Sequence, residues 1–211
     1  MKLLMTCLVA LTCATASAAD VPMLQEASVT IHNGKGRASG TVITTGGKSY
    51  VWTAAHAVTE KDLKVVSNRK EYSCKVLKAD QKRDIAVLEL EAVLPSKVVW
   101  NFSKYNPGAV LLHVGNPFGK HPDSVAHGVF SNDRGKFYQA SFAIYPGCSG
   151  GGVFNLDGEQ VGIVVAHARH GTPVIPFGEA SVTCPTLSFY IPSSSVLEFV
   201  AEHKLHYALG F

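Results

Sequence analysis

Three residue types that make a nucleophile when brought together stand in chain order in this sequence: His56, Asp84 and Ser149. His56 closes "TAAH" after an apolar run. Asp84 opens "DIAVLEL". Ser149 lies in "YPGCSGGGVFN", beside Cys148 and among glycines. A serine hydroxyl attacks a carbonyl poorly unless an imidazole takes its proton, and a carboxylate fixes the imidazole's tautomer and stabilises its charged form. A Gly-rich turn around the serine turns backbone N–H groups toward the oxyanion that develops. Gly147 has the backbone freedom for such a turn, and the amides of Gly147, Cys148 and Ser149 are the expected donors. Each feature alone has a plain structural reading: a surface histidine, a strand-start aspartate, a flexible turn. Their order and their placement beside strands favour acyl transfer, with Ser149 as nucleophile, His56 as base and Asp84 as its orienting group.

Cys148 is the rival nucleophile. In the fold family that the combined motifs resemble (below), a cysteine nucleophile takes the serine's own position, directly before Gly-Gly. Here Ser149 precedes Gly150-Gly151, so the frame of the glycines selects the serine.

The elements that must position these groups are short β segments broken by turn residues. "ASVTIHN", "GTVITT", "KSYVWTAAH", "DLKVVSN", "EYSCKVLKAD" and "IAVLELE" form one series. "AVLLHVGN", "HGVFSN", "KFYQASFAI", "GGVFNLDGEQVGIVVAH" and "PTLSFYIP" form a second. Gly46-Gly47 and Asp157-Gly158 are hairpin signals. About a dozen strands without alternating helices predict an all-β protein, barrels or a sandwich, and two barrel halves of similar size fit the two series. The first is expected over about 27–100 and the second over about 108–192, with a soft boundary at 100–108. One helix is expected at about 194–206, where Val196, Phe199 and Val200 repeat at helical spacing and Ser193, Ser194 and Ser195 offer N-caps.

Composition narrows the function classes. The chain has 211 residues, 46% of them hydrophobic, which suffices for a sizeable core. Its 19 basic and 16 acidic residues nearly balance, with no basic stripe, which speaks against nucleic acid as a partner. Residues 1–19, "MKLLMTCLVALTCATASAA", have the layout of a secretory signal peptide, and the mature chain is expected over 20–211 in the periplasm or outside the cell. The apolar run is short for an ordinary spanning helix, and no membrane contact is expected beyond this segment. Removal of the segment leaves Cys74, Cys148 and Cys184. At most one disulfide can then form, Cys74–Cys184 being the pair left by elimination, with three unpaired thiols as the alternative. His203 and His206, three apart without a third ligand, read as a helix surface and not as a metal site. The glycines of "GNPFG" lack the Lys-Ser/Thr pair of a phosphate loop. No metal or cofactor is expected.

The combined motifs resemble a chymotrypsin-fold serine protease, and more narrowly the HtrA-type protease domain. "SGTVIT" with "YVWTAAHAV", "RDIAVLEL", "VGNPFG" before "HGVFS", "PGCSGGGVFNLDGEQVGIVVA" and "SFYIPSSSV" carry the resemblance over about residues 36–200. It implies two six-stranded antiparallel barrels, peptide or protein substrates, and His56, Asp84 and Ser149 as the triad. Departures accompany it. Cys148 stands where the family usually has Asn, no PDZ segment follows the expected C-terminal helix, and the region of the regulatory loops is short. The resemblance places the walls of the specificity pocket at Ala143, Ile144, Val164, Val165, Ala166 and His167. No carboxylate lies at the pocket base, and Val164 replaces the His of glutamyl endopeptidases, so a small or medium apolar P1 residue is expected. The reading from another class is a catalytically silent binding module on the same fold.

Overall fold

The computed structural model describes residues 19–34, 36–165, 175–177, 180–182 and 186–210. Six strands form the first half: β1 (Ser28–Asn33), β2 (Gly36–Thr45), β3 (Lys48–Thr53), β4 (Leu63–Ser67), β5 (Lys70–Asp80) and β6 (Ile85–Leu90). They close as a barrel in the order β1-β2-β3-β6-β5-β4. The second half contains β7 (Val110–Gly115), β8 (Ser124–Asp133), β9 (Tyr138–Ala140), β10 (Gly152–Phe154) and β11 (Gln160–Val165). A two-stranded excursion, β12 (Ile175–Phe177) with β13 (Ala180–Val182), precedes β14 (Ser188–Pro192). The second barrel closes as β10-β11-β14-β9-β8-β7. This is the expected pair of six-stranded antiparallel barrels.

Local chemistry explains the register. At the β2–β3 hairpin Thr45 pairs with Lys48, and Gly46 and Gly47 both take positive φ (57° and 75°), as a two-residue turn between twisted strands requires. The β10–β11 connection is longer than a two-residue turn, since Phe154 pairs with Gln160. Asn155 organises it, its Oδ1 accepting the N–H groups of Asp157 and Glu159.

Every residue of β11 is buried, because both of its faces are covered. Val164 turns into the second barrel with Phe142, Ile144, Val153 and Tyr190. Ile163 and Val165 turn outward into a cluster with Trp52, Trp100, Phe154 and Phe199, which joins the two barrels and the C-terminal helix. Trp52 is its hub. It meets Trp100 edge-on at 5.5 Å and Phe199 at 6.2 Å, and its Nε1–H donates to the Ala208 carbonyl. Val29, Ile31, Val51, Val65 and Leu88 fill the first barrel.

The helices depart from expectation in two ways. A short helix, α1 (Val21–Ala27), precedes β1. Asp20 caps it by accepting the Met23 N–H, and Leu24 and Ala27 are buried. The C-terminal helix, α2 (Ser193–His203), begins one residue early. Pro192 occupies the cap position without a side-chain bond, and the three serines lie inside the first turn. It ends where Lys204 turns left-handed, so His206 falls in a separate 3-10 turn (His206–Ala208) and shares no helix face with His203.

Candidate active site

His56 sits in a 3-10 turn, Ala55–Ala57, directly after β3. The small side chains of Ala55 and Ala57 sink into the first barrel's core, which leaves the imidazole facing out, 44% exposed. Asp84 ends the turn before β6 with φ 61°, a left-handed conformation that Asp tolerates better than most residues. Asp80 builds that turn. Its Oδ1 accepts the N–H groups of Lys82 and Arg83, and its Oδ2 pairs with Arg83 at 2.6 Å. Arg83 also reaches Glu202 on α2 at 2.8 Å.

The two turns lock together. The Asp84 carbonyl accepts the Ala55 N–H, and Gln81 Nε2 donates to the Ala55 carbonyl. Asp84 Oδ1 accepts the His56 backbone N–H at 2.9 Å, and Nδ1 of the ring lies 2.8 Å from Oδ2 and 3.0 Å from Oδ1. A carboxylate against Nδ1 places the proton there and leaves Nε2 as the basic nitrogen. The hydrogen bond to Asp84, helped by its charge, holds the His56 pKa above the ordinary 6.5 against the opposing effect of burial.

Ser149 lies at the junction of the barrels, 7% exposed. Its turn is a double loop in which the Cys148 N–H donates to Tyr145 O and the Gly151 N–H to Cys148 O, both at 3.0 Å. Gly150 N–H donates to Val164 O on β11, and Ser39 N–H on β2 donates to Ser149 O at 2.8 Å. Ser39 Oγ donates to Gly147 O at 2.7 Å and accepts the Asn116 N–H at 2.8 Å. One buried serine of the first barrel thus grips the turn at two carbonyls.

Gly150 explains why no larger residue fits. At φ 86°, a Cβ there would lie 2.0 Å from Thr53 Oγ1 and 3.0 Å from the Ala54 N. The residue after Ser149 is therefore pressed against the chain that leads into His56.

The amides divide into used and unused. The Pro146 carbonyl accepts the Phe118 N–H, and in a trans peptide the Gly147 N–H then points the opposite way. Among the described residues neither Gly147 N–H nor Ser149 N–H donates to a protein acceptor. The Cys148 amide is committed to Tyr145. Of the three donors expected for an oxyanion it drops out, because the tightness of the turn consumes it.

The Cys148 side chain is part of the second barrel's core, 1% exposed, and burial pushes its thiol pKa up. That is the opposite of what a thiolate nucleophile needs. Cys74 is likewise a free thiol, its Sγ–H directed at Leu63 O, whereas Cys184 lies outside the described residues.

The expected pocket residues separate. Ile144 and Val164 are buried together and Ala143 is half-buried. Val165 faces the inter-barrel cluster, away from Val164, as strand alternation demands. Ala166 and His167 lie outside the described residues, as does the N-terminal segment 1–18. Ser39 and Phe118 escape a reading of the sequence, because each acts on a turn far along the chain.

Comparison with known proteins agrees with this architecture. The model of the trypsin-like peptidase domain matches residues 38–163. A probable periplasmic serine endoprotease DegP-like of Pseudomonas fulva (strain 12-X) is 38% identical over 137 residues, covering 59% of this chain and 28% of that protein. A protein of the same description from Marinomonas sp. (strain MWYL1) is 38% identical over 135 residues, with the same two coverages. This chain therefore matches little more than a quarter of the length of these relatives. The serine endoprotease from Yersinia pestis superposes with a TM-score of 0.70 at 22% identity, over 89% of this chain and 68% of that one. Rv3671c from M. tuberculosis H37Rv, in a mutant, inactive form, gives 0.71 at 19% identity, over 90% and 92%. At such identities these structures speak for the fold alone. The family-model match spans more than half of the residues, and by it the chain belongs to the trypsin-like peptidase domain family.

Proposed function

We propose that this protein is an exported serine endopeptidase. Ser149 Oγ attacks the scissile carbonyl while Nε2 of His56 takes its proton. Asp84 holds the ring and balances the imidazolium charge, and the tetrahedral oxyanion accepts from the Gly147 and Ser149 N–H groups. Collapse expels the amine, which takes its proton from His56, and leaves an ester on Ser149. Water then attacks that ester with His56 again as base, which returns the free serine and the second peptide product.

The observation that carries this reading is the double contact of Asp84 with His56, next to a serine turn in which the Gly147 and Ser149 N–H groups have no acceptor among the described residues. A silent module on this fold has no need of either. The buried, high-pKa Cys148 disfavours a thiol enzyme. The family and the names of the relatives support peptide bonds as the substrate class. The signal-like residues 1–19 and the periplasmic relatives support export to the periplasm or beyond. The apolar residue types at 143, 144 and 164, where the resemblance puts the pocket walls, and the lack of a carboxylate among them support a small or medium apolar P1 residue.

A fluorophosphonate probe is expected to label the wild type at Ser149, and Ser149→Ala is expected to lose both labelling and casein hydrolysis. Retained hydrolysis in Ser149→Ala, with loss in Cys148→Ala, would falsify the assignment.

A further inference from the structure

Phe118 and Tyr145 are both exposed, 55% and 37%, although they are large and apolar. Their rings lie 5.1 Å apart at 36°. Among the described residues no other ring pair in contact has both members exposed to this degree. Isolated exposed apolar residues need no explanation, whereas a contacting aromatic pair at the turn that carries Ser149 does.

The backbones that carry both rings are held by the Tyr145–Ser149 turn itself. Tyr145 accepts the Cys148 N–H through its carbonyl, and the Phe118 N–H donates to Pro146 O. Phe118 keeps φ 57° to do so, a conformation uncommon for a bulky residue. Its neighbour Gly119 is wedged onto β2, where a Cβ would lie 2.5 Å from Arg37 Cβ. The backbone that carries the pair is therefore constrained, which lowers the entropic cost of seating a side chain against the two rings.

Its position selects the occupant. Ile144 turns inward with Val164, on the side expected for P1, while the adjacent Tyr145 turns outward. Gly119 lies against Arg37 of β2, and Phe118 and Gly119 pack against the Gly147 end of the serine turn, whereas Val164 binds its Gly150 end. Resting on the serine endopeptidase reading, we propose that Phe118 and Tyr145 form an apolar subsite for a substrate residue on the leaving-group side of the scissile bond. The occupant is a hydrophobic or aromatic side chain of an extended polypeptide, seated against the two rings.

The test uses quenched-fluorescent peptides of fixed acyl-side sequence, whose leaving-side residues vary among Phe, Leu, Ser, Asp and Lys. A chromogenic ester of the same acyl side, with no leaving-side residue, gives the reference rate. In the wild type kcat/KM is expected to be about 10-fold higher for Phe or Leu than for Ser or Asp, the scale of selectivity that one apolar pocket achieves. Tyr145→Ser and Phe118→Asn are expected to bring that ratio to within about 2-fold of unity, Asn being tolerant of the left-handed backbone. Dividing each peptide rate by the ester rate removes any change in the turn itself. An unchanged preference in both variants overturns the subsite, and so does a parallel fall of ester and peptide rates. A wild type that hydrolyses neither ester nor peptide overturns the endopeptidase reading. An active wild type with a flat leaving-side profile overturns the subsite alone.

Discussion

Asp84 holds His56 at two points with one carboxylate, accepting its backbone N–H at 2.9 Å and facing its Nδ1 at 2.8 Å. The backbone bond fixes the turn that bears the ring, and the ring contact fixes the tautomer. Position and tautomer of the imidazole therefore depend on a single side chain, whose turn Asp80 and Arg83 support from behind.

Asp84→Asn separates the two tasks. The amide oxygen keeps an acceptor for the His56 N–H, but the group no longer carries the charge that balances an imidazolium. Folding should survive, while kcat falls by about 10³- to 10⁴-fold, the scale found when a triad carboxylate is made neutral. Circular dichroism would check the fold and a peptide assay the rate. A loss of under 10-fold sinks the role given to Asp84.

The raised pKa of His56 sets a pH profile. Only the neutral ring accepts the serine proton, so kcat/KM should climb with pH to a plateau, with its midpoint above 6.5. For stability the sign is reversed. A pKa raised on folding contributes stability that is fully present below 6.5 and is lost as pH rises through the folded value. A profile measured from pH 5 to 9 that is flat, or centred below 6.5, contradicts His56 as the base.

Ser39 is the clasp between barrels, and its removal tests positioning. Ser39→Ala leaves the Gly147 carbonyl and the Asn116 N–H without their partner inside a buried site. Stability should drop by about 1–3 kcal/mol, as for other orphaned buried groups. The loosened turn should also slow fluorophosphonate labelling of Ser149 by 10-fold or more, with KM for peptides moving far less than kcat. Equal changes in both constants would assign Ser39 to substrate binding instead.

Most of the framework was legible because it is local. Strand alternation, the Gly46-Gly47 turn and the words around His56 and Asp84 are each written in a few adjacent residues. What escaped depends on tertiary contacts. The amide of Cys148 reads as an oxyanion donor until the turn geometry commits it to Tyr145. Val164 and Val165 read as one pocket wall until the pleat sends them to opposite faces. The serines at 193–195 read as caps, but Pro192 already has the extended backbone of a cap residue, and the helix starts beneath it. Helix α1 is short and borders the signal-like segment, where periodicity has no room to show. Ser39 acts on Gly147 across 108 positions, a relation no local pattern encodes.

His113, outside the reaction, predicts how the fold meets acid. It is 2% exposed and stacks on Phe142 at 5.5 Å, with Nδ1 facing Gly152 O at 3.0 Å. Its Nε2 has no partner among the described residues. Burial lowers its pKa to about 4, against a smaller opposing effect of the Gly152 bond. Between about pH 4 and 6.5 the unfolded chain binds a proton here that the folded chain refuses, so stability must fall as pH falls through that window. At about 1.4 kcal/mol per pKa unit, acidification from pH 7.5 to 5 should remove about 2 kcal/mol through this residue alone. His113→Asn keeps a donor within reach of Gly152 O but cannot titrate. It should be less stable than the wild type at pH 7.5, because a ring is lost from a packed barrel. That deficit should shrink by about 2 kcal/mol at pH 5, as read by urea denaturation of both proteins at both pH values. The carboxylates titrate alike in the two and cancel in the difference. A deficit that stays constant with pH would show that His113 does not govern the acid response of the second barrel.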